Sequence, residues 1–430
     1  MRIYYLNKIS EEEIINLIKR PAIDLEKVFG ITKPILADIK LNGLKAALKY
    51  AKEFDGFEGD NFKVTKNEFD EAEKNIDAKT KSAIDTAYEN IKKFHLKQLP
   101  SRYEIETMTS VVCSRDFRAI ENVGLYIPGG SAILPSTMLM LGIPAKIAGC
   151  NRVVVCSPSK NGKINFPLLY AAKLCGVDEF YKIGGAQAVG LMAYGDKSIQ
   201  KVNKIFGPGN QYVTAAKLLV SIDLDGCSID MPAGPSEVLV IADSNANPTF
   251  VAADLLSQAE HGADSQVVLI TTTLEMANNI ELELVNQLEK LPRKNLAAKA
   301  LESSFTLLTE SIDDAIEFSN KYAPEHLIVN IKNAENYISK IKNAGSVFLG
   351  QYSPESVGDY ASGTNHSLPT YGYAKTFGGV SVEAFMKAIT FQKLTKDGLK
   401  NISETVETLA EVEGLQAHKN AVSIRLNSKG

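Results

Sequence analysis

Cysteine is scarce in this sequence, and its spacing argues against two common uses. Five cysteines occur among 430 residues, and none of them belongs to a CxxC pair. An odd count without paired spacing favours reduced thiols over a disulfide framework or a paired-cysteine metal site. Cys156 lies in the apolar run VVVCS, and Cys175 ends the apolar face of FPLLYAAKLCG. Both are therefore predicted to be core residues.

Neither an excess of positive charge nor a long hydrophobic run is present. The formal net charge is −4, and lysines and arginines are scattered among aspartates and glutamates. This pattern is typical of solvated helix faces and argues against nucleic-acid binding, which needs clustered cations. The opening MRIYYLNKIS has no apolar segment of signal-peptide length, and no later run approaches a membrane span. We therefore expect a cytoplasmic protein without nucleic-acid or membrane partners.

Three familiar motifs are also missing: the dinucleotide fingerprint GxGxxG, the zinc-hydrolase motif HExxH and the serine-hydrolase motif GxSxG. Their absence leaves a dehydrogenase and a zinc hydrolase both open, while Ser236 in DMPAGPSEVLV has no support as a nucleophile. Three glycine-rich stretches remain, at 124–132, 182–190 and 206–212. The last two follow predicted strands and lead into predicted helices, where backbone N–H groups can bind phosphate. On pattern alone they leave a nucleotide site undecided.

The order of the predicted elements indicates the fold class. From about residue 120, short β-branched runs alternate with helical patterns in two successive series, which are broken near 225–236. Strand–helix alternation on this scale predicts an α/β fold with parallel sheets and helices on both faces. The first hundred residues and those beyond about 381 are predicted to be helical. Functional residues are expected at the carboxyl ends of the strands, as in other open α/β sheets.

Only five histidines occur, so each one is a candidate for chemistry. His261 follows Gln258 by three residues in DLLSQAEHG, which puts both side chains on one helix face, where they could share a metal ion. A histidine followed by Gly262 is also what an ordinary helix C-terminus prefers, and taken alone this second interpretation is favoured. His95, in the charged segment KKFHLKQ, is predicted to lie on the surface, and His418 is predicted to be a solvated tail residue.

Two further segments carry acids and histidine together. Glu325 and His326 are adjacent in YAPEHLIV, and Pro324 disfavours helix before them, so the pair is predicted to be presented from a loop. A carboxylate and an imidazole could share proton transfer there, and a strand that merely opens with two polar residues is equally compatible. The stretch ESVGDYASGTNHSLPT, at 355–370, is predicted to be an irregular site loop, with Asp359 as candidate ligand or charge partner.

These stretches together resemble the histidinol dehydrogenase family. The family signature runs from Ile-Asp through Ala-Gly-Pro-Ser-Glu to a closing Glu-His, and it is present as IDMPAGPSEVLVIADSNANPTFVAADLLSQAEH, residues 229–261. YIPGG, GPGNQYV, APEHL and GDYASGTNHSLPT also match, so the resemblance covers essentially the whole chain. It implies a zinc-dependent, NAD-linked, four-electron oxidation of L-histidinol through the aldehyde to L-histidine, carried out by a homodimer.

The resemblance also implies an architecture of two incomplete Rossmann-like domains, one inserted in the other, with small helical extensions that intertwine the dimer. On this basis the first domain comprises residues 23–125 and 236–380 and carries most metal and catalytic residues. Residues 126–235 form the inserted domain on the NAD side. An N-terminal helical extension covers residues 1–22, and a C-terminal helical dimerisation tail covers residues 381–430.

Site residues follow from the resemblance position by position. The implied zinc ligands are Gln258, His261, Asp359 and the partner subunit's His418. In this family the metal orients the substrate, which the ligands and His326 would contact together with two further residues, Ser236 and Glu413. The implied NAD contacts are Tyr126, Gln187 and Asn210.

The implied catalytic pair is Glu325 and His326. His326 takes the alcohol proton as hydride leaves for the first NAD, Glu325 activates water on the aldehyde, and His326 assists the second hydride loss. A rival mechanism replaces water activation by a cysteine thiohemiacetal at Cys113 or Cys150, although only Arg115, near Cys113, is placed to lower a thiol pKa. The residues by themselves also leave open a zinc hydrolase without NAD and a non-catalytic metal-binding scaffold.

Overall fold

The structure is a computed structural model that describes residues 1–20, 25–58, 61–129, 134–177 and 179–428. Within these residues the chain forms three β-sheets surrounded by helices. The strands are β1 (Arg2–Tyr5), β2 (Tyr103–Met108), β3 (Val111–Ala119), β4 (Asn122–Tyr126), β5 (Arg152–Cys156), β6 (Glu179–Tyr181), β7 (Lys204–Phe206), β8 (Ser228–Ile229), β9 (Glu237–Ala242), β10 (Gln266–Thr271), β11 (Phe305–Leu308), β12 (His326–Asn330), β13 (Ser346–Leu349) and β14 (Met386–Leu394).

The helices are mostly amphipathic, and several begin at a Ser, Thr, Asp or Asn whose side chain accepts a hydrogen bond from the first turn. They are α1 (Glu11–Ile18), α2 (Leu25–Asp55), α3 (Lys66–Asn75), α4 (Ala78–His95), α5 (Pro135–Ala148), α6 (Phe166–Leu174), α7 (Gly185–Tyr194), α8 (Gln211–Ile222), α9 (Pro248–Ala259), α10 (Leu274–Leu288), α11 (Lys294–Glu302), α12 (Ile312–Tyr322), α13 (Glu355–Tyr360), α14 (Lys396–Val412) and α15 (Gln416–Asn427).

Six parallel strands form the largest sheet, in the order β1-β11-β10-β9-β12-β13. Its central strand β9 is buried along its whole length. Val238 and Val240 belong to one hydrophobic cluster, whereas Leu239 and Ile241 belong to another. Since successive side chains of a strand point to opposite faces, the sheet has a packed core on each side.

Five parallel strands form the second sheet, in the order β6-β5-β4-β7-β8. Along β5, Val154 and Cys156 pack into one cluster and Val155 into the other. The long helix α2 packs against α7 and α8 and so helps to cover this sheet. Two parallel sheets with helices on both faces confirm the predicted α/β fold class.

The expectation of helix alone at the two ends of the chain is wrong. The segment Arg2–Tyr5 is a strand at the edge of the six-stranded sheet, paired with β11. β14 pairs antiparallel with β3, which also pairs with β2, in a third, small sheet. β1 and β14 each pair with a strand that is distant in the sequence, so the local sequence pattern could not predict the pairing.

The cysteine predictions are confirmed. All five cysteines are free thiols, and Cys156 and Cys175 are buried in the core. Among the described residues, no helix combines the length and the apolar character needed to cross a bilayer. The domain boundaries remain predictions, and the boundary at residues 22 and 23 lies outside the described residues.

Candidate active site

The candidate catalytic residues lie at the amino edge of the six-stranded sheet. Glu237 is the first residue of β9 and His326 the first residue of β12, and the two strands are neighbours. Helix α9 returns from the carboxyl end of β9 to the same edge, with Gln258 in its last turn and His261 two residues beyond its end. The expectation of a site at the carboxyl ends of these strands is therefore wrong.

The loop preceding His326 differs only slightly from the prediction. Ala323 ends α12 in the left-handed region, with φ 54°. Pro324 and Glu325 follow, but His326 already belongs to β12 and is buried. A strand position is more rigid than a loop, which suits a group that must be held at one angle.

Three potential metal ligands meet beside this edge. One ligand atom from each of His261, Glu355 and Asp359 lies within 4.8 Å of the others. The carboxylates come from α13, which occupies the first six residues of the segment predicted to be an irregular loop. Sequence inspection selected His261 and Asp359 but gave Glu355 no role of its own.

Gln258 is buried next to this cluster and has two possible amide orientations. In one, its oxygen faces only acceptors, among them the Glu355 carboxylate. In the other, its nitrogen donates to Glu355 and its oxygen accepts from the Glu237 N–H at 3.0 Å. The first orientation would suit a cation held between the oxygen atoms of Gln258 and Glu355. The second gives both amide atoms a hydrogen-bond partner within the protein.

The backbone of Glu237 holds both members of the candidate catalytic pair. Its N–H donates to the Glu325 carboxylate at 2.8 Å, and its carbonyl oxygen lies 3.1 Å from Nδ1 of His326. An Nδ1–H that donates to this carbonyl leaves Nε2 as the basic nitrogen of the neutral ring. Nε2 lies 3.4 Å from Oδ1 of Asp359, and both atoms are buried without a hydrogen-bond partner among the described residues.

Acidic side chains are crowded in the site, and burial disfavours their charged forms. Burial raises the pKa of Glu355 to about 8 and that of Asp254, on α9, to about 7. Burial also raises the pKa of Glu325. Burial opposes the charge on His326, but the Glu355 and Glu325 carboxylates outweigh it and hold the pKa of His326 well above its usual value.

The histidine and the aspartate of the cluster are both shifted towards the forms that bind metals. Burial lowers the pKa of His261, so its ring is biased towards the neutral form that binds metals. For Asp359, burial raises the pKa, but the neighbouring rings of His326, His366 and His261 hold it below its usual value. A neutral imidazole and an ionised carboxylate are the forms in which these groups bind a metal.

Sequence inspection did not identify a buried ion pair that involves Glu237. Arg20 makes two hydrogen bonds, of 2.9 and 2.8 Å, to the Glu237 carboxylate, and both side chains are almost fully buried. The Arg20 guanidinium also donates to the Tyr322 carbonyl at 2.7 Å and lies over the Tyr322 ring. Glu237 stands inside the signature stretch PSEV, but no sequence pattern links it to residue 20.

Two histidines have structural partners that the sequence did not indicate. His366, which had no predicted role, lines the site cavity; its Nδ1 lies 2.8 Å from the Asp359 carbonyl oxygen. His95 is 0% exposed, so its predicted surface position is wrong. Its Nδ1 lies 2.8 Å from the Ile91 carbonyl oxygen, and Nδ2 of Asn365 lies 3.3 Å from its Nε2. His95 ends the buried stripe of Ile84, Ala87 and Ile91 on α4, and the charged residues around it concealed its burial.

The predicted NAD contacts lie at the carboxyl ends of the five-stranded sheet. Tyr126 ends β4, and its hydroxyl accepts from the Gly185 N–H at 3.0 Å. Gln187 is buried on α7, and its amide donates to Asp55 at 3.0 Å. Asn210 caps α8, where its side-chain oxygen accepts two backbone hydrogen bonds. These residues therefore lie beside the five-stranded sheet, whereas Glu325 and His326 lie at the edge of the six-stranded sheet.

A cavity of about 360 Å³ connects the two sheets. It brings together seven of the predicted site residues: Asn210, Ser236, Gln258, His261, Glu325, His326 and Asp359. A second cavity of about 1080 Å³ shares Pro128, Leu134 and Asn210 with the first and is also lined by Tyr126. The carboxyl edge of one sheet thus faces the amino edge of the other across a continuous cleft.

Other predicted residues lie outside this cleft. Glu413, directly after α14, and His418, on α15, are exposed, and neither lines the cavity. Cys113 and Cys150 also line neither cavity, and burial raises the pKa of Cys150 to about 12. A thiohemiacetal mechanism therefore has no support from the placement of these cysteines.

Comparison with known proteins agrees with this geometry. A family model described as histidinol dehydrogenase matches residues 18–426. The chain belongs to the histidinol dehydrogenase family. Membership makes the protein an oxidoreductase that acts on an alcohol or aldehyde in histidine biosynthesis, and it removes the zinc hydrolase and the inert scaffold from consideration.

Individual histidinol dehydrogenases are similar over nearly the full length. The chain is 51% identical to histidinol dehydrogenase of Vibrio parahaemolyticus, covering 99% of this chain and 98% of that one. It is also 51% identical to the chloroplastic histidinol dehydrogenase of Arabidopsis thaliana, covering 99% and 91%. The crystal structure of histidinol dehydrogenase from Elizabethkingia anophelis superposes with a TM-score of 0.94 at 52% identity, covering 99% and 98%.

Proposed function

We propose that this protein oxidises L-histidinol by four electrons, through L-histidinaldehyde to L-histidine, with zinc as resident metal and two NAD as acceptors. The observation that carries the proposal is the meeting of His261, Glu355 and Asp359 in the same cavity as Glu325 and His326. A metal-ligand set beside an acid–base pair is what an orienting metal and proton transfer require together.

The donor set fits zinc. Gln258, His261 and Asp359 supply amide oxygen, imidazole nitrogen and carboxylate oxygen, which are ligands that Zn²⁺ accepts. A cation would also relieve the crowding of acidic groups and the Gln258 orientation in which oxygen faces only acceptors. When bound, zinc holds and polarises the substrate's polar groups.

His418 is proposed to complete the metal site from the partner subunit. Within its own chain it is exposed on α15 and away from the cavity. Exposed apolar side chains accompany it on α14 and α15 and on the small antiparallel sheet, which supports burial of this face in a homodimer. They are Leu409, Val412, Leu415, Ile424, Ile389 and Phe391. Glu413 lies five residues before His418 and would reach the substrate with it.

Proton transfer is assigned to His326 and Glu325. Because Nδ1 of His326 faces a carbonyl oxygen, Nε2 would take the proton of the alcohol once a bound cation offsets the Glu355 and Glu325 charges that raise the pKa of the ring. Glu325 accepts the Glu237 N–H with one oxygen and keeps the other for a water molecule attacking the aldehyde. His326 then takes a proton from the hydrated aldehyde as the second hydride leaves. The backbone of Glu237 thus holds both proton acceptors in place.

The remaining contacts are proposed from their places in the cleft. Ser236 immediately precedes β9 and lines the smaller cavity, where it can contact the substrate together with the metal ligands. Asn210 lines both cavities, and Tyr126 lines the larger one, so both can contact NAD. Gln187 is buried behind this surface, where Asp55 fixes its amide. A dinucleotide in the larger cavity would extend its nicotinamide towards His326.

The test is the number of NADH molecules formed for each L-histidinol consumed by zinc-loaded protein, with a chelated sample as control. We expect two NADH per histidinol and loss of both on chelation. One NADH would show that oxidation stops at the aldehyde and would overturn the role of Glu325. Full turnover after verified removal of metal would overturn the zinc assignment.

A further inference from the structure

A pair of lysines at the rim of the larger cavity has no part in the proposed function so far. Lys160 and Lys163 both line this cavity and are joined by reciprocal backbone hydrogen bonds of 3.1 and 3.0 Å. Asn161 and Gly162 between them have φ angles of 52° and 71°, which makes a tight two-residue hairpin. The hairpin fixes the two cationic residues opposite each other.

Two like charges directly opposite across a hairpin repel each other. Among the described residues, neither lysine has a carboxylate within ion-pair distance, whereas many other lysines of the chain do. An anion between the two ammonium groups would turn this repulsion into attraction. The arrangement is therefore suited to an anionic ligand.

A second observation also points to a ligand. Ser159, directly before the hairpin, is only 7% exposed and lines the same cavity. Its hydroxyl has no hydrogen-bond partner among the described residues. A buried hydroxyl without a partner costs free energy, and a ligand oxygen would supply the missing hydrogen bond.

Three helix N-termini near this cavity are already satisfied by the protein itself. Asn165 caps α6 and Asn210 caps α8. At the glycine-rich turn before α7, the Asp55 carboxylate accepts the backbone N–H of Gly184. Sequence patterns marked this turn and the one before α8 as possible phosphate sites, yet the protein's own side chains already occupy their first N–H groups. The phosphates of a dinucleotide consequently need other donors.

We propose that Lys160, Lys163 and Ser159 form the subsite that binds the phosphate groups of the dinucleotide. The inference rests on the proposed use of NAD and names the residues that hold its charged part. The lysines would supply the positive charge and Ser159 a hydrogen bond, at a place continuous with Asn210 and the catalytic cavity. Asp55 also lines this cavity and adds negative charge at the turn before α7, which disfavours phosphate at that turn.

The test is calorimetric binding of NAD to the ligand-free dimer of the double variant Lys160→Ala/Lys163→Ala. We expect the affinity for NAD to fall about tenfold, because two charge-assisted contacts are lost. The matched control is Lys299→Ala/Lys332→Ala, which removes two exposed lysines remote from both cavities and should bind NAD like the wild type. Binding should also depend less on salt in the hairpin variant than in the wild type.

Ser159→Ala gives an independent readout. Because its hydroxyl has no partner without ligand, its removal should leave the Tm of the ligand-free protein unchanged or higher, while NAD binding weakens. A lower Tm with unchanged NAD affinity would show a purely structural hydroxyl and would overturn its assignment.

The outcomes separate this inference from the function on which it rests. If wild type binds NAD and the hairpin variant binds it equally well, the phosphate subsite is wrong and the function stands. If the hairpin variant loses only affinity for inorganic phosphate, the lysines bind a free anion and the subsite is again wrong. If wild type itself binds no NAD, the proposed cofactor is wrong and the subsite is wrong with it.

Discussion

At the scale of single residues, the backbone of Glu237 connects the two groups proposed to move protons. The N–H of Glu237 binds Glu325 and its carbonyl faces His326, so both orientations depend on the register of two neighbouring strands. Sequence inspection could select Glu325 and His326, because two adjacent polar groups open an apolar strand. It could not select Glu237 as their support, because a backbone contact across strands leaves no mark on residue type.

Substitution of the pair should separate chemistry from metal binding. His326→Gln should lower turnover about 10²- to 10⁴-fold for both oxidation steps, and Glu325→Gln should affect mainly the aldehyde step, because each removes a positioned proton acceptor. Stopped-flow NADH formation from histidinol and from histidinaldehyde measures this difference. Zinc content should equal that of wild type, and its loss in both variants would instead give the pair a structural role.

Buried His95 should make stability depend on pH. Burial lowers its pKa in the folded protein below that of the unfolded chain, so the unfolded chain binds the proton more readily. Its contribution to stability is therefore complete at pH 8 and is lost as the pH falls from about 6.5 towards the folded pKa. The free energy of unfolding, measured with urea at pH 8 and pH 5, should change less in His95→Gln than in wild type. An equal change in both would show that His95 titrates normally.

At the scale of elements, the alternation of strands and helices was enough to predict two parallel sheets, but not which edge carries the site. Open α/β sheets usually place sites at carboxyl ends, and the predicted NAD contacts Tyr126 and Asn210 follow that rule. His326 does not, because it begins β12, and Gln258 does not, because α9 runs back to the amino edge of the same sheet. Which edge faces the second sheet is a matter of tertiary packing, and a local pattern cannot reveal it.

The Arg20–Glu237 ion pair fixes the first residue of β9 and should matter for both stability and turnover. Arg20→Met leaves a buried carboxylate unpaired, which we expect to cost about 3–5 kcal/mol of unfolding free energy. Turnover should fall as well, because the backbone of Glu237 orients Glu325 and His326. Urea unfolding and steady-state kinetics measure the two effects.

The control for this ion pair is the double variant Arg20→Met/Glu237→Gln, in which no unpaired charge remains. It should regain much of the stability lost in Arg20→Met. If Arg20→Met alone is as stable and as active as wild type, the ion pair does not anchor the strand.

At the scale of the whole molecule, one chain brings together only three of the four proposed zinc ligands. The cavity contains the proposed ligands Gln258, His261 and Asp359, whereas His418 is exposed on α15. The sequence predicted a helical tail, and the family resemblance implied that His418 in this tail binds the zinc of the partner subunit. It did not suggest β14, whose antiparallel partner β3 lies more than 260 residues earlier in the chain.

Heterodimers should reveal whether His418 acts in the partner's site. In a dimer of one His261→Ala chain and one His418→Ala chain, an exchanged ligand places both defects in one site and leaves the other intact. Heterodimers isolated with two affinity tags should therefore retain about half of wild-type activity, since a twofold dimer has two equivalent sites. Inactive heterodimers would show that each chain uses its own His418.

The most direct test of the proposed site is the position of zinc in a crystal of the dimer, measured by anomalous diffraction on both sides of the zinc absorption edge. We expect a peak within coordination distance of Gln258, His261 and Asp359 of one subunit and of the partner subunit's His418. A peak bound elsewhere, or one at this cluster without the partner's histidine, would contradict the proposed site.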